Sequence, residues 1–133
     1  MTTAPMTPRT GLQAHRDSRQ WPISKIVFEL RAILGARLVA YLGAVKETRA
    51  VREWAQGGRS PGSEAVQQRL RDAYQVAAML SEREVPGVVQ TWFLGMNPQL
   101  ADRAPARLLR EGEPDHAPAE VLAAARAFIA AAS

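Results

Sequence analysis

Residues 97–112, NPQLADRAPARLLREG, contain a turn, a short helix and a stop within sixteen residues. Asn97 precedes a proline, so it avoids the α region and favours an extended or turn conformation. Pro105 presets φ for the first turn of a helix, two leucines then point inward, and Gly112 ends the helix as a C-terminal cap. A helix of barely two turns is not stable alone. We therefore expect it to pack on the helices that flank it.

Helical patterns fill most of the chain on both sides of this stretch, because apolar residues recur at spacings of three and four from Ile23 onward. The longest stripe lies in residues 63–83, and Pro86 ends or kinks that helix. Other patterns of this kind occupy residues 23–34, 38–42, 46–56 and 117–131. No run has the two-residue period of a strand. The sequence predicts an all-α protein with six or seven helices.

Composition divides the chain into three parts. Residues 1–20 are rich in Thr, Pro, Arg and Ser and poor in apolar residues, which predicts a flexible N-terminal arm. Residues 21–62 form a first helical part and residues 63–133 a second. The chain has the length of one ordinary domain, or of two very small ones that share a core.

The first helical part has the layout of a helix-turn-helix, ARLVAYLGAVKETRAVREWAQGGRSP in residues 36–61. A short helix ends at Gly43, which suits a tight turn because glycine tolerates positive φ. Val51 and Trp54 on the next helix are expected to face the core. The opposite face is the candidate for the major groove, with side chains that read bases or neutralise phosphates. These DNA-binding candidates are Lys46, Thr48, Arg49, Arg52 and Arg59. A plain helical hairpin with a solvated face is the alternative.

Charge is distributed unevenly around a formal net charge of +4. Residues 23–62 carry seven basic and three acidic residues, whereas residues 113–133 carry one basic and three acidic residues. A basic half suits a polyanion and an acidic tail suits a basic cleft. Fifteen of the seventeen bases are arginine, a bias that a GC-rich genome also produces without selection for binding.

Several classes of protein are disfavoured by what the sequence lacks. Without cysteine there are no disulfides, thiolate metal sites or cysteine nucleophiles. No run is apolar enough to span a bilayer, and no signal peptide is evident, so we expect a cytoplasmic location. No arrangement of residues indicates catalysis, a metal or a cofactor, and we expect no enzyme. Met79 and Met96 are expected to fill gaps in the core, and Trp92 to lie in the core or to anchor an interface.

Residues 92–112, WFLGMNPQLADRAPARLLREG, resemble the signature of the Xre/MbcA/ParS-type antitoxin toxin-binding domain. The matching residues, in order, are Asn97, Pro98, Leu100, Arg103, Pro105, Leu108, Leu109 and Gly112. The family often has glycine where this chain has Asp102, and aspartate tolerates positive φ second best. The resemblance covers roughly residues 35–130, and the upstream helix-turn-helix pattern fits the same family.

The resemblance implies the antitoxin of a type II toxin–antitoxin system. Its partner would be a RES-domain toxin that consumes NAD, whose active site the C-terminal part occludes, while the helix-turn-helix binds operator DNA and represses the antitoxin's own promoter. A homodimer within a toxin–antitoxin hetero-oligomer is expected. The toxin-binding candidates are Arg103, Arg107, Arg110, Glu111, Glu113 and Asp115. The acidic tail would mimic the substrate's charge in a basic NAD cleft. Alternatively, helix 117–131 would complete the core. Both can be true of different faces of this helix.

Two other functions fit the same residues. One is a stand-alone transcriptional regulator that uses its C-terminal half only to dimerise. The other is an adapter for another protein, with a degenerate helix-turn-helix that does not bind DNA.

Overall fold

A computed structural model describes residues 11–132 of the chain. Within these residues the backbone forms eight α-helices and one 3-10 turn, Pro98–Leu100. The helices are α1 Leu12–Gln20, α2 Ile23–Leu34, α3 Ala36–Leu42, α4 Thr48–Gln56, α5 Glu64–Ser81, α6 Pro86–Leu94, α7 Pro105–Glu111 and α8 Ala117–Ala132. The described residues contain no β-strand, so the all-α prediction is confirmed, with one helix more than the six or seven expected.

The additional helix is α1, where the sequence predicts a flexible arm over residues 1–20. This prediction is wrong for Leu12–Gln20, and residues 1–10 lie outside the described part of the chain. α1 packs on α5 through Ala14 and Ser18, which are buried and four residues apart. Arg71 of α5 donates hydrogen bonds to the carbonyl oxygens of Ser18 and Trp21, at 3.0 and 2.8 Å. Small residues on the buried face left no apolar stripe in the sequence that would predict this helix.

The long helix α5 is the centre of the molecule, because α1, α2, α3, α6, α7 and α8 all contact it. Its buried face includes Leu70, Ala73 and Ala77, none of which is exposed. α5 belongs to the second predicted part, yet α2 and α3 of the first part pack on it, and so does α1 from the predicted arm. One hydrophobic core therefore contains residues of both parts. None of the helices described here is long and apolar enough to cross a membrane.

Side chains of the second half hold the C-terminal end of α3. The last carbonyl groups of a helix have no partner within it. Arg69 of α5 donates to the carbonyl oxygen of Leu42 at 3.0 Å, and Arg110 of α7 donates to that of Tyr41 at 3.2 Å. Burial and the nearby Arg110 lower the pKa of Arg69 from its usual value. Gln90 of α6 likewise donates to the carbonyl oxygen of Ile33, near the end of α2, at 2.9 Å.

Gly43 ends α3 for a different reason from the one expected. Its φ is −81°, an ordinary right-handed value, and the positive φ of this turn belongs to Ala44 at 60°. A Cβ on Gly43 would lie 2.7 Å from the indole ring of Trp54. Trp54 is only 1% exposed, so the ring could move away only by displacing other residues of the core. The turn needs glycine because α3 and α4 approach closely around this tryptophan.

Replacing Gly43 by alanine should lower the free energy of unfolding by ~2 kcal/mol, because a methyl group would be forced into a filled core. Urea denaturation of the purified protein measures this difference. Gly62→Ala is the matched control, since a Cβ there would meet nothing within 4 Å, and it should change stability by less than about 0.5 kcal/mol. Equal stabilities for the two variants would contradict this account of the turn.

Candidate functional site

The predicted recognition helix, α4, has one buried and one exposed face. Val51 and Trp54 are buried against the core, as expected. Thr48, Arg49 and Arg52 are exposed on the opposite face. The buried and exposed faces of α4 are therefore those that the sequence pattern predicts. α4 presents two arginines and a hydroxyl group to solvent.

The charges around α4 are not all equally available. Arg59, which follows the C-terminal end of α4, donates to Glu53 of that helix at 3.0 Å and forms an exposed ion pair with it. An anion must compete with Glu53 for this guanidinium. Lys46, Arg49 and Arg52 form no ion pair with any residue of the described part of the chain. These three cations are the ones best placed to meet a phosphate or a base edge.

The Asn97–Arg103 turn is organised around Asn97, which is buried. Its side-chain oxygen accepts from the backbone N–H of Gln99 at 2.9 Å, an Asx-type cap on the 3-10 turn. Its carbonyl oxygen accepts from the backbone N–H groups of Leu100 and Asp102, and its own N–H donates to the carbonyl of Arg103. The turn is thus closed at both ends by one residue, and Leu100 is buried beneath it as the apolar anchor.

Two consecutive residues of this turn have left-handed backbone conformations. Asp102 has a φ of 65°, which is the geometry expected for a position where the resembled family often has glycine. Ala101 also has a positive φ, 55°, which the sequence did not indicate. Alanine has no side-chain oxygen to compensate for the contact between its Cβ and the backbone, so Ala101 is the more strained of the two.

Ala101→Gly should raise the free energy of unfolding by about 0.5–1 kcal/mol, because glycine adopts this conformation without a steric penalty. Thermal and urea denaturation measure the gain. Ala123→Gly, at an exposed position inside α8, is the control and should lower stability by about 1 kcal/mol. If both variants were destabilised alike, the backbone of Ala101 would not be strained.

The exposed surface of α7 carries ion pairs of modest strength. Leu108 and Leu109 are buried, as the sequence predicts. On the outside, Arg107 donates to Glu111 at 3.0 Å one turn later, and this hydrogen bond is the main cause that raises the pKa of Arg107. Arg103 lies 3.8 Å from Glu120 of α8, and both side chains are about half exposed. Such exposed pairs contribute little to stability, so they can exchange for charges of a partner.

Two of the toxin-binding candidates, Arg103 and Arg110, also donate side-chain hydrogen bonds to the backbone; Arg103 donates to the carbonyl oxygen of Leu100 at 3.1 Å. Arg110 is held by a different helix, α3. Its guanidinium lies 4.6 Å from the centre of the Tyr41 ring, a cation–π contact, and also donates to the Tyr41 carbonyl. A residue held in this way joins α7 to α3. A partner would have to break both contacts to use its charge.

Two acidic residues, Glu113 and Asp115, lie in the loop between α7 and α8. Both are exposed and form no ion pair among residues 11–132. Glu111 and Glu120, on the two helices that flank this loop, are paired with Arg107 and Arg103. α8 itself buries Val121, Ala124 and Ala125, so the expectation that this helix completes the core is confirmed.

An apolar groove between α3 and α7 was not foreseen from the sequence. It encloses about 620 Å³ and is lined by Leu34, Leu38 and Tyr41 on one side and by Leu94, Ala104 and Ala106 on the other. Arg37 and Arg107 lie at its edge. The break at Gly35, whose φ is 87°, redirects the chain between α2 and α3 beside this groove. The groove depends on how distant helices meet, so no local pattern indicates it.

The exposure of the Met96 side chain contradicts a further expectation from the sequence. Met79 is buried as predicted, but Met96 is 80% exposed, so its expected place in the core is wrong. Trp92 is partly buried, with its ring centre 5.3 Å from that of Phe93 and 6.4 Å from that of Phe128. Met96 follows the end of α6 and precedes the buried Asn97, so it is Asn97 and Leu100, and not Met96, that this segment places against the core.

Among residues 11–132, no group of three or more histidine, cysteine, aspartate or glutamate side chains is arranged to hold a metal ion. Comparisons with protein-family models, with curated proteins and with solved structures found no match to this chain. The assignment of a function therefore depends on the residues and surfaces described above.

Proposed function

We propose that this protein is the antitoxin of a type II toxin–antitoxin system, which neutralises a RES-domain, NAD-consuming toxin by covering its active site. It acts by binding and catalyses no reaction, and it works in the cytoplasm as a homodimer within a hetero-oligomer with the toxin. The observation that carries the proposal is the Asn97–Arg103 turn. Four of the eight residues that match the family signature, Asn97, Pro98, Leu100 and Arg103, lie in this turn. Asp102, where the family often has glycine, has a positive φ.

The acidic loop is the proposed inhibitory segment. Glu113 and Asp115 are exposed and unpaired within the described residues, and a site that holds the pyrophosphate of NAD needs positive charge. Carboxylates that replace the substrate's phosphates in such a cleft would be attracted to it and would exclude NAD. Arg103, Arg107 and Glu111 are proposed as further contacts with the toxin. Arg110 is proposed as one too, but it would have to leave Tyr41 to make the contact.

α3 and α4 are proposed to form a helix-turn-helix that binds operator DNA and represses the antitoxin's own promoter. The exposed Lys46, Arg49 and Arg52 form no ion pairs among the described residues, which leaves them available to phosphates and guanine edges. Arg59 contributes to DNA binding by leaving Glu53 and pairing with a phosphate. The second candidate function, a stand-alone transcriptional regulator, uses the same helix and has no toxin partner.

Charge reversal of the loop tests the toxin interaction. The gene for a RES-domain toxin should neighbour that of this chain, and co-expression of the wild-type protein should restore growth and the cellular NAD level. Glu113→Arg combined with Asp115→Arg should abolish this rescue, because two cations would enter a cationic cleft. Glu64→Arg combined with Glu82→Arg changes the net charge equally at exposed positions outside the loop and should still rescue. Rescue by both double variants would exclude the loop as the inhibitor, and the lack of any NAD-consuming neighbour would favour the lone regulator.

DNA binding is tested with a duplex from the region upstream of the chain's own coding sequence. Arg49→Ala combined with Arg52→Ala should weaken binding by about 30-fold or more, since each base-reading arginine contributes about 1–3 kcal/mol. The slope of log affinity against log salt should also become shallower. Arg16→Ala combined with Arg126→Ala removes the same charge from exposed positions on α1 and α8 and should have little effect. Unchanged affinity in the first pair would remove α4 from the interface, and no salt-sensitive binding at all would favour the adapter.

A further inference from the structure

The apolar groove between α3 and α7 lies where the two halves of the chain meet, and its wall belongs to neither proposed interface. Leu34 and Leu38 come from the first half, and Leu94 and Ala106 from the second. These leucines and the alanine form an aliphatic wall. Leu94 is 62% exposed, so part of the wall is open to solvent. Such a wall binds an apolar group because it removes that group from water.

Positive charge accompanies this groove. Arg37 and Arg107 line it with exposed side chains, and none of the eleven lining residues is acidic. Arg110 adds a third guanidinium, 4.6 Å from the centre of the Tyr41 ring, which also lines the groove. Glu111 pairs with Arg107 and offsets one of these three charges. A net positive charge remains, so the groove favours an occupant that carries an anion.

Arg37 is the cation best able to receive that anion. It forms no ion pair with another residue of the range 11–132, and it belongs neither to the DNA-binding nor to the toxin-binding candidates. Its guanidinium presents N–H donors in a planar fork that matches the two oxygens of a carboxylate. Since Leu34 and Leu38 line the same groove, a ligand whose carboxylate meets Arg37 can place its apolar part against the wall.

The size of the groove distinguishes a small molecule from a protein partner. Its volume of about 620 Å³ falls within the range of roughly 300–1,000 Å³ that is typical of small-molecule sites. A stable protein–protein contact involves about 20–30 residues on each side, whereas eleven residues line this groove. The groove alone is therefore too small to serve as the interface with another protein.

We propose that the α3–α7 groove binds a small molecule in which an aliphatic chain is joined to a carboxylate. The chain lies against Leu38 and Leu94, and the carboxylate pairs with Arg37. Arg107 assists by sharing its guanidinium between the ligand and Glu111. The ligand thus contacts α3 of the proposed helix-turn-helix and α7 of the proposed toxin-binding part. The inference goes beyond the proposed function and does not rest on it, since it is tested without toxin or DNA.

The first experiment titrates the isolated protein with decanoate in a calorimeter, at concentrations below those at which decanoate forms micelles. Decanoate should bind saturably, at one site per chain. Decyltrimethylammonium has the same aliphatic chain with the opposite charge, and acetate has the carboxylate without the chain. Each of these two probes should bind at least about 10-fold more weakly than decanoate, because each lacks one of the two interactions.

Substitutions then locate the site. Arg37→Gln should weaken decanoate binding by about 10-fold or more, because a charged hydrogen-bond donor is lost. Arg31→Gln is the matched control, since it removes the same charge from an exposed position of α2 outside the groove. Leu94→Asp should also weaken binding by about 10-fold, because it places a carboxylate on the wall. Val88→Asp, on the same helix but outside the groove, should not, and circular dichroism confirms that all four variants are folded.

Amide chemical shifts give a second measure of where the ligand lies. Decanoate should shift residues 34–41 and 104–107 most, and it should shift Val88 and Phe128, which line a different groove, much less. The absence of saturable decanoate binding would overturn the proposal. So would equally tight binding of decyltrimethylammonium, unchanged binding in Arg37→Gln or Leu94→Asp, or shifts centred on Val88 and Phe128.

A peptide rich in leucine and glutamate tests the alternative of a protein ligand. It should bind more weakly than decanoate. Tighter binding of the peptide at the same residues would make the groove a docking site for an acidic protein and would contradict the small-molecule assignment. Each of these outcomes leaves toxin rescue and DNA binding as separate observations.

Discussion

The position of α3 depends on hydrogen bonds that its own sequence cannot supply. Its last carbonyl groups accept from Arg69 and Arg110, which are contributed by α5 and α7. Gln90 does the same near the end of α2, and Arg71 at the end of α1. The N-terminal helices thus end on donors from the C-terminal half, as buried carbonyls require. Since α4 follows α3 and packs against it, the orientation of the candidate DNA-binding surface is fixed by residues far away in the sequence.

Periodicity predicted much of this fold, because a helix that buries long apolar side chains leaves a regular trace. α5 lies within the expected residues 63–83, and Val51, Trp54, Leu108 and Leu109 are buried as expected. Some residues with a positive φ could also be predicted. Asp102 has the left-handed conformation that a family preference for glycine suggests. These features are local, so a single sequence contains the information that specifies them.

Features set by distant contacts could not be predicted in this way. α1 buries alanine and serine, which give no hydrophobic stripe. Gly43 is required by the ring of Trp54, eleven residues later, and not by its own φ. In the candidate sites, the helical pattern predicted which side chains are exposed. It did not predict which residues pair with each charged side chain. The contact of Arg110 with Tyr41 depends on how α7 packs beside α3. The pair of Arg59 with Glu53 is local, but it depends on the path of the loop after α4, which the helical period does not specify.

The single core has a consequence for how long such a protein survives in a cell. α5 contacts helices of both halves, so neither half can open fully without disrupting the packing of the other, and the chain should unfold as one cooperative unit. A ligand that binds only the native state stabilises that whole unit, by about 2.7 kcal/mol at a hundred times its dissociation constant. Occupation of α4 would therefore slow proteolysis at sites that are buried in the folded chain, including sites in distant helices, without touching them. Turnover of the entire chain would respond to whichever surface is occupied.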